Sequence, residues 1–283
     1  MKRFLWLLVC FVALAIALPT AAGAKAGTHK FVLALGDSVT AGTQATAPAV
    51  VPGGSPETEV NRSGAGYANQ LVAHLQQEGG DVELVNLACY YETTATMIAG
   101  GGLCSYPSGS QLNEASEFLG DHAADTLAIV MSIGANDVLR PCNFLDTTCY
   151  NTQLATASKN LDKILKRLKG EGNHVPIAMI TYYDPFLALW FTGGQPLAQA
   201  TIDSIVTPLA QMIRTTSAPY NVTIVDTLAT FQTYDFTIVP NAGIPLNVLN
   251  ICTYSWMCSY NDIHLNAAGY GLVAVAVEAA LGL

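Results

Sequence analysis

The sequence predicts an α/β fold in which a parallel sheet carries helices on both faces. The first observation is a set of five short runs of apolar and β-branched residues, the pattern of buried strands. The second is that a helical stretch separates each run from the next, an alternation typical of parallel sheets. The strands are predicted at Phe31–Leu35, Val82–Leu87, Thr126–Ser132, Pro176–Tyr182 and Val222–Asp226. The helices are predicted at about Gly66–Glu78, Leu112–His122, Thr152–Lys169, Pro196–Ser217 and Ala267–Leu281.

The N-terminal residues have the pattern of a secretory signal peptide. A basic pair, Lys2-Arg3, precedes the apolar run Phe4–Leu18, and the small residues Ala22–Ala24 then resemble a signal peptidase site. A membrane anchor is the alternative, but the run is short for a bilayer span of ~20 residues. We therefore expect residues 1–24 to be removed and residues 25–283 to form one secreted domain without a stable membrane anchor.

The composition limits the classes of partner. The 283 residues include 21 Asp and Glu against 12 Lys and Arg, which gives a formal net charge of −9. Because nucleic-acid binding requires basic patches, no nucleic-acid partner is expected. The chain has no internal repeat, low-complexity tract or domain linker, so a single domain is expected to hold the functional site.

Six cysteines follow the predicted signal peptide, and an even number in an oxidising compartment indicates disulfides. Sequence alone allows 15 pairings of six cysteines. Short loops favour the nearest-neighbour set, which pairs Cys89 with Cys104, Cys142 with Cys149 and Cys252 with Cys258. Zinc is the alternative, but it would require C-x-x-C or Cys/His clusters, and the sequence has none, so no metal site is expected.

Four polar segments follow predicted strands or precede the last helix. They are Gly36–Val39, Asn86–Thr94, Ile133–Asp137 and Asn261–Asn266. The carboxyl ends of parallel strands share one edge of the sheet, where open α/β folds build their sites. Acyl transfer requires a nucleophile, a base, and donors for the developing oxyanion, and these segments carry such groups.

Ser38 and His264 are the candidate nucleophile and base. An unaided serine hydroxyl is a poor nucleophile and needs a nearby base. The alternatives are structural: Ser38 as a turn serine, Asn136 as a turn residue, and His264 as part of the cap of the last helix beside the N-cap candidate Asn266. Asp37 is expected to hold the nucleophile loop through backbone N–H groups rather than to take part in chemistry.

These four segments, in this order and spacing, resemble the SGNH or GDSL hydrolase family of secreted esterases and lipases. The segment Thr181–Phe186 is similar to an actinobacterial-type branch of that family. The resemblance implies a three-layer α/β/α sandwich with a flavodoxin-like, five-stranded parallel sheet. It also implies ester hydrolysis through an acyl-enzyme, with Ser38 as the nucleophile, His264 as the base, and the Asn136 side chain and Ser38 N–H as oxyanion donors.

Two positions depart from the family pattern. Tyr91 stands where a glycine usually gives its N–H to the oxyanion hole, so that donor can persist but its amide is expected to tilt or the pocket to narrow. Asn261 stands where the family has the aspartate of the triad, three residues before the histidine. We expect Asp262 to support His264 instead, and a dyad supported by a main-chain carbonyl is the alternative.

The sequence therefore predicts a monomeric, secreted esterase or lipase that acts on a small-molecule or lipid ester without a cofactor. A polysaccharide deacetylase, a phospholipase and a thioesterase remain alternatives on the same fold, as does a catalytically silent lipid- or carbohydrate-binding module. A common α/β-hydrolase is disfavoured because G-x-S-x-G is missing around Ser38. The apolar segment Leu187–Phe191 is expected to form a loop, and its apolar residues either contact the acyl chain or pack beneath that loop.

Overall fold

The computed structural model describes residues 29–44, 64–172 and 174–283. The predicted signal peptide lies outside these residues. The central sheet has the strands β1 Lys30–Gly36, β2 Val82–Asn86, β3 Thr126–Ser132, β4 Ile177–Ile180 and β5 Thr223–Val225. A separate antiparallel pair consists of β6 Ile238–Val239 and β7 Ile244–Pro245.

The central sheet is parallel throughout, with the strand order β2-β1-β3-β4-β5. This is the flavodoxin-like order, and it confirms the predicted fold class. The chain reverses direction across the sheet beside β1, so loops after β1 and β3 meet at a switch point. The inner strands are buried on both faces, as expected of apolar runs covered by helices.

Helices form the two outer layers. The helix Tyr67–Gln77 packs against the helix Ala267–Leu281 on one face. On the other face, the helix Thr147–Glu171 packs against both Gln111–His122 and Thr207–Ser217. The α-helices are α1 Ser38–Ala41, α2 Tyr67–Gln77, α3 Thr94–Ala99, α4 Gln111–His122, α5 Ala135–Leu139, α6 Thr147–Glu171, α7 Trp190–Thr201, α8 Thr207–Ser217, α9 Thr227–Thr230, α10 Leu246–Tyr254, α11 Met257–Tyr260 and α12 Ala267–Leu281. Shorter helical turns are Ala123–Asp125, Pro185–Leu189 and Ala218–Tyr220, and Ile202–Val206 is π-helical.

The segment Leu187–Phe191 is not the loop that the sequence indicates. Asp184 accepts a hydrogen bond from the Phe186 backbone N–H at 3.0 Å, and Pro185 begins a 3₁₀ turn that runs directly into α7. Both features are typical of a capped helix start. Because the turn consists of apolar residues, the hydrophobic periodicity of the sequence does not reveal it. The turn buries Leu187 completely, so its neighbour Phe186 is the residue left to face the site.

Three cysteine pairs lie at disulfide-bonding distance, and they are the nearest-neighbour pairs Cys89–Cys104, Cys142–Cys149 and Cys252–Cys258. None of the helices in the described ranges is both long and apolar enough to cross a bilayer. The Cys89–Cys104 pair matters most for the site, because Cys89 begins the loop that carries Tyr91.

Candidate active site

The nucleophile turn, Gly36–Ser38, is shaped by close contact between β1 and β3. Gly36 has a φ of +107°, and a Cβ on this residue would lie 1.8 Å from the Ser132 carbonyl oxygen. Only glycine fits both the angle and the space. The chain then turns into α1, whose first residue is Ser38, and the serine hydroxyl is held at the carboxyl edge of the sheet.

Asp37 holds this turn in place through hydrogen bonds. Its carboxylate accepts hydrogen bonds from the Val39 backbone N–H at 3.1 Å, from the Ser132 hydroxyl at 2.7 Å and from the Tyr182 hydroxyl. Burial raises the pKa of Asp37 to about 6, although these donors act to lower it. All three partners belong to the scaffold, so the carboxylate positions Ser38, although Asp37 also borders the cavity beside that serine.

His264 makes the two contacts that a base in a serine triad requires. Its Nε2 lies 2.9 Å from the Ser38 hydroxyl oxygen, and its Nδ1 lies 2.7 Å from Oδ1 of Asp262. The His264 side chain is almost fully buried. Partial burial acts to raise the pKa of Asp262, but the hydrogen bonds and charge of His264 outweigh it and hold that pKa below its ordinary value. The arrangement thus orients the imidazole with an ionised carboxylate.

The loop around Asp262 explains why the acid lies one position later than the family pattern. Asn261 has a φ of +53° and ends helix α11, a left-handed position that asparagine tolerates. Asp262 follows this turn and folds back, so that its Oδ1 also accepts the His264 backbone N–H at 2.8 Å. The Tyr183 hydroxyl donates to the Ile263 carbonyl at 2.7 Å and anchors the loop from β4.

The oxyanion loop, residues Cys89–Glu92, keeps a left-handed backbone without glycine. Tyr91 has a φ of +63°, and its side chain is 41% exposed. The Asn136 side chain donates to the Glu92 carbonyl at 2.9 Å, which orients its amide from helix α5. Tyr91 therefore places its side chain in solvent while the backbone keeps the conformation that glycine usually supplies.

Two buried polar residues that the sequence did not single out connect these loops. Oε1 of Gln111 accepts the Gly36 N–H at 2.6 Å, and its Nε2 donates to the Gly36 carbonyl at 3.0 Å. The same Nε2 lies 3.4 Å from a carboxylate oxygen of Glu92. Burial raises the pKa of Glu92 to about 7. The only sequence signal is Ser110, which caps α4 and fixes where Gln111 enters the core.

The remaining polar candidates support the loops. Asp137 accepts from the Thr94 backbone N–H at 2.9 Å and from its hydroxyl at 2.5 Å, which ties α5 to α3. Asn86 accepts the Ala88 N–H at 3.1 Å and closes the turn after β2. Asn266 accepts the Gly269 N–H at 3.0 Å and caps α12, the role that its spacing indicates.

An apolar cavity of about 40 Å³, open at its mouth, adjoins Ser38 and Asn136. Its wall comes mainly from helices α1 and α5, the 3₁₀ turn after β4, and the junction between the π-helical segment and α8. Its apolar lining includes Val39, Leu139, Phe186, Ile205, Val206 and Leu209. Such a cavity beside a nucleophile can hold the hydrocarbon part of a substrate.

A buried Ser–His–Asp chain at the carboxyl edge of a flavodoxin-like sheet defines the class of the serine acyl hydrolases. The sequence profile of the GDSL-like lipase/acylhydrolase family matches residues 34–272, which include Ser38 and His264. The chain belongs to that family, and the predicted resemblance is confirmed.

Solved structures of similar fold include several ester hydrolases. A lipase from a goat rumen metagenome has a TM-score of 0.55 and 14% identity, over 89% of this chain and 97% of that one. An acetylxylan esterase from Geobacillus stearothermophilus has a TM-score of 0.52 and 19% identity, over 91% of this chain and 96% of that one. At this identity the likeness establishes the fold alone. No curated protein sequence matches the chain significantly.

Proposed function

We propose that the protein is a secreted serine esterase that hydrolyses carboxylic esters with short or medium acyl chains. The observation that carries this proposal is the 2.9 Å contact between the Ser38 hydroxyl and Nε2 of His264, with Asp262 at 2.7 Å behind the imidazole. Nucleophile, base and orienting acid are thus in hydrogen-bond contact before any substrate binds.

In the acylation step, the Ser38 oxygen forms a bond to the ester carbonyl carbon while Nε2 of His264 takes the hydroxyl proton. The negative charge that develops on the carbonyl oxygen is stabilised by the backbone N–H groups of Ser38 and Tyr91 and by the Asn136 amide. The bond from the carbonyl carbon to the alcohol oxygen then breaks, and His264 gives its proton to the departing alcohol.

In the deacylation step, water repeats the sequence. His264 takes one proton from water, the resulting hydroxide attacks the acyl-enzyme, and the Ser38 oxygen leaves with the proton from His264. The carboxylic acid is released, and no cofactor takes part. Asp262 stays ionised throughout, because the positive charge formed on His264 in each step favours its negative charge.

The apolar cavity supports an acyl-binding role. It opens beside Ser38 and is lined mainly by aliphatic side chains, with Phe186 as an aromatic wall. Its volume is small, about 40 Å³, and it therefore suits a short or medium chain better than a long one.

The decisive experiment measures turnover of p-nitrophenyl esters from acetate to palmitate by residues 25–283 and by the Ser38→Ala variant. We expect the wild type to hydrolyse the short and medium esters and the variant to lose at least about 10³-fold in kcat, because no nucleophile remains. Turnover equal to that of Ser38→Ala on every ester would reject the esterase and favour a binding protein. A maximum at palmitate would reject the acyl-length assignment alone.

A further inference from the structure

Two tyrosine rings and an arginine lie beside the reactive groups but outside the apolar cavity. The rings of Tyr90 and Tyr91 have centroids 4.0 Å apart and planes tilted by 58°. The guanidinium carbon of Arg140 lies 4.9 Å from the centroid of the Tyr91 ring, and its Nη1 donates to the Tyr91 carbonyl at 3.3 Å. None of the three residues contributes to the wall of the cavity.

The aromatic pair lies close to His264, which protonates the departing alcohol in the proposed mechanism. The Tyr90 ring centroid is 5.8 Å from that of His264. In the proposed mechanism the departing alcohol oxygen takes its proton from Nε2 of His264, so it must lie within hydrogen-bond reach of that atom. Since Tyr90 and Tyr91 lie outside the cavity assigned to the acyl group, they are available to contact the alcohol part.

The backbone conformation of Tyr91 is energetically unfavourable for a residue with a side chain. A residue other than glycine in a left-handed backbone conformation costs about 1–2 kcal/mol, and the ring of Tyr91 remains 41% exposed. An exposed ring beside a reactive centre offers a surface on which another ring can stack. Arg140 holds the Tyr91 ring in place and adds exposed N–H donors.

We propose that Tyr90, Tyr91 and Arg140 form the subsite for the alcohol part of the ester, and that this subsite selects ring-bearing alcohols over open-chain ones. The shared chemistry is a ring with a face that stacks on an aromatic side chain, whether that ring is aryl or glycosyl. The inference rests on the proposed esterase function and adds the class of alcohol to it.

The test compares two acetate esters that differ in the shape of the alcohol. Phenyl acetate has a flat leaving group, whereas hexafluoroisopropyl acetate has an open-chain leaving group of similar acidity. Both esters place the same acetyl group in the cavity and use the same oxyanion donors. The ratio of their kcat/KM values therefore cancels any effect of residue 91 on the oxyanion hole and reports the alcohol subsite.

Tyr91→Leu keeps a bulky apolar side chain at the same backbone angle but removes the flat ring. We expect it to lower the phenyl-to-hexafluoroisopropyl ratio about two- to tenfold, mainly through the KM of phenyl acetate. Tyr91→Phe keeps the ring and is expected to keep the ratio. Tyr234→Leu removes a tyrosine that is 56% exposed and lies outside the cavity wall, and it serves as the matched control with an unchanged ratio.

A singly acetylated methyl xyloside, compared with hexafluoroisopropyl acetate in the same variants, distinguishes glycosyl from aryl alcohols. A loss of twofold or more in Tyr91→Leu for either ring-bearing ester supports the subsite. Losses below twofold for both esters, or an equal loss in Tyr91→Phe, overturn it while leaving the esterase intact. A wild type that hydrolyses none of the three esters rejects the proposed function itself, and the subsite with it.

Discussion

The nucleophile turn and the oxyanion loop both require a left-handed backbone, but they meet that requirement with different residues. Gly36 has a φ of +107° and Tyr91 a φ of +63°. At Gly36 the neighbouring strand closes the space, since a Cβ would lie 1.8 Å from the Ser132 carbonyl oxygen. At Tyr91 the side chain extends into solvent. A positive φ therefore demands glycine only where the surroundings also exclude a Cβ.

The two regions also each contain a buried carboxyl group, with different partners. Asp37 under the nucleophile turn accepts from three scaffold donors. Glu92, beside the oxyanion loop, has a side-chain hydrogen bond with Thr96 and a weak contact with the Gln111 amide at 3.4 Å. Burial raises the pKa of Asp37 to about 6 and that of Glu92 to about 7. The better-satisfied group is the one beneath Ser38, which indicates that the nucleophile turn is the more rigidly specified of the two.

The largest effect is expected from a substitution that disrupts the nucleophile turn. Gly36→Ala places a methyl group against the backbone of Ser132, so we expect it to lower the free energy of unfolding by at least about 4 kcal/mol or to prevent folding. Tyr91→Gly is the matched change in the oxyanion loop, and its effect is expected to stay within about 1 kcal/mol, because relieved strain offsets lost ring contacts. Urea unfolding monitored by circular dichroism measures both, and equal effects would contradict the comparison.

The second-largest effect is expected when His264 loses the carboxylate of Asp262. Asp262→Ala removes the carboxylate 2.7 Å from Nδ1 of His264, and we expect kcat to fall about 10³- to 10⁴-fold. This exceeds the roughly 100- to 1000-fold loss expected on removing one oxyanion donor. Asn261→Gly keeps the left-handed turn and should hold kcat within a few-fold. A loss below about tenfold in Asp262→Ala would instead indicate a dyad supported by a main-chain carbonyl.

The smallest effect concerns the buried carboxyl groups and depends on pH. The pKa of Glu92 rises from 4.5 to about 7 on folding, so the folded chain keeps a proton that the unfolded chain loses, and wild-type stability falls as pH rises through this window. Glu92→Gln is neutral at every pH. We expect the free energy of unfolding of Glu92→Gln minus that of the wild type to increase by about 1–3 kcal/mol from pH 4 to pH 8.

Asp37→Asn is the contrasting variant in the nucleophile turn. An amide has one acceptor oxygen and cannot accept from all three donors around Asp37, so this change is expected to destabilise the protein across the whole pH range. Urea titrations at several pH values separate the two behaviours. A Glu92→Gln difference that stays flat with pH would show that Glu92 does not hold the extra proton.

The sequence predicts the elements of this site well where the signal is local. The apolar run before Gly36 and the one before Ile133 define two strands, and parallel pairing then brings their loops together. Asn266 precedes a helix and caps it. The contact between Ser38 and His264 was inferable from motif order and the fold class, because both loops reach the same sheet edge.

Other features depend on contacts that no local pattern encodes. Gln111 contacts Gly36 across 75 positions, and nothing around it in sequence distinguishes it from a surface glutamine at a helix start. The apolar run Leu187–Phe191 is the exception, because Asp184 followed by Pro185 is a local helix-start signal, and the Asp184 cap decides between a loop and a capped turn. The short β6–β7 pair has two residues in each strand, which is too few for a pattern to appear.

The separation between Ser38 and its base has a consequence for biosynthesis. The two residues lie 226 positions apart, and the imidazole belongs to the loop just before α12. A nascent chain that has not yet reached residue 264 carries the serine but no group to take its proton. Under the proposed function, the capacity for ester hydrolysis is therefore acquired late in translation, and products that end before residue 264 lack it.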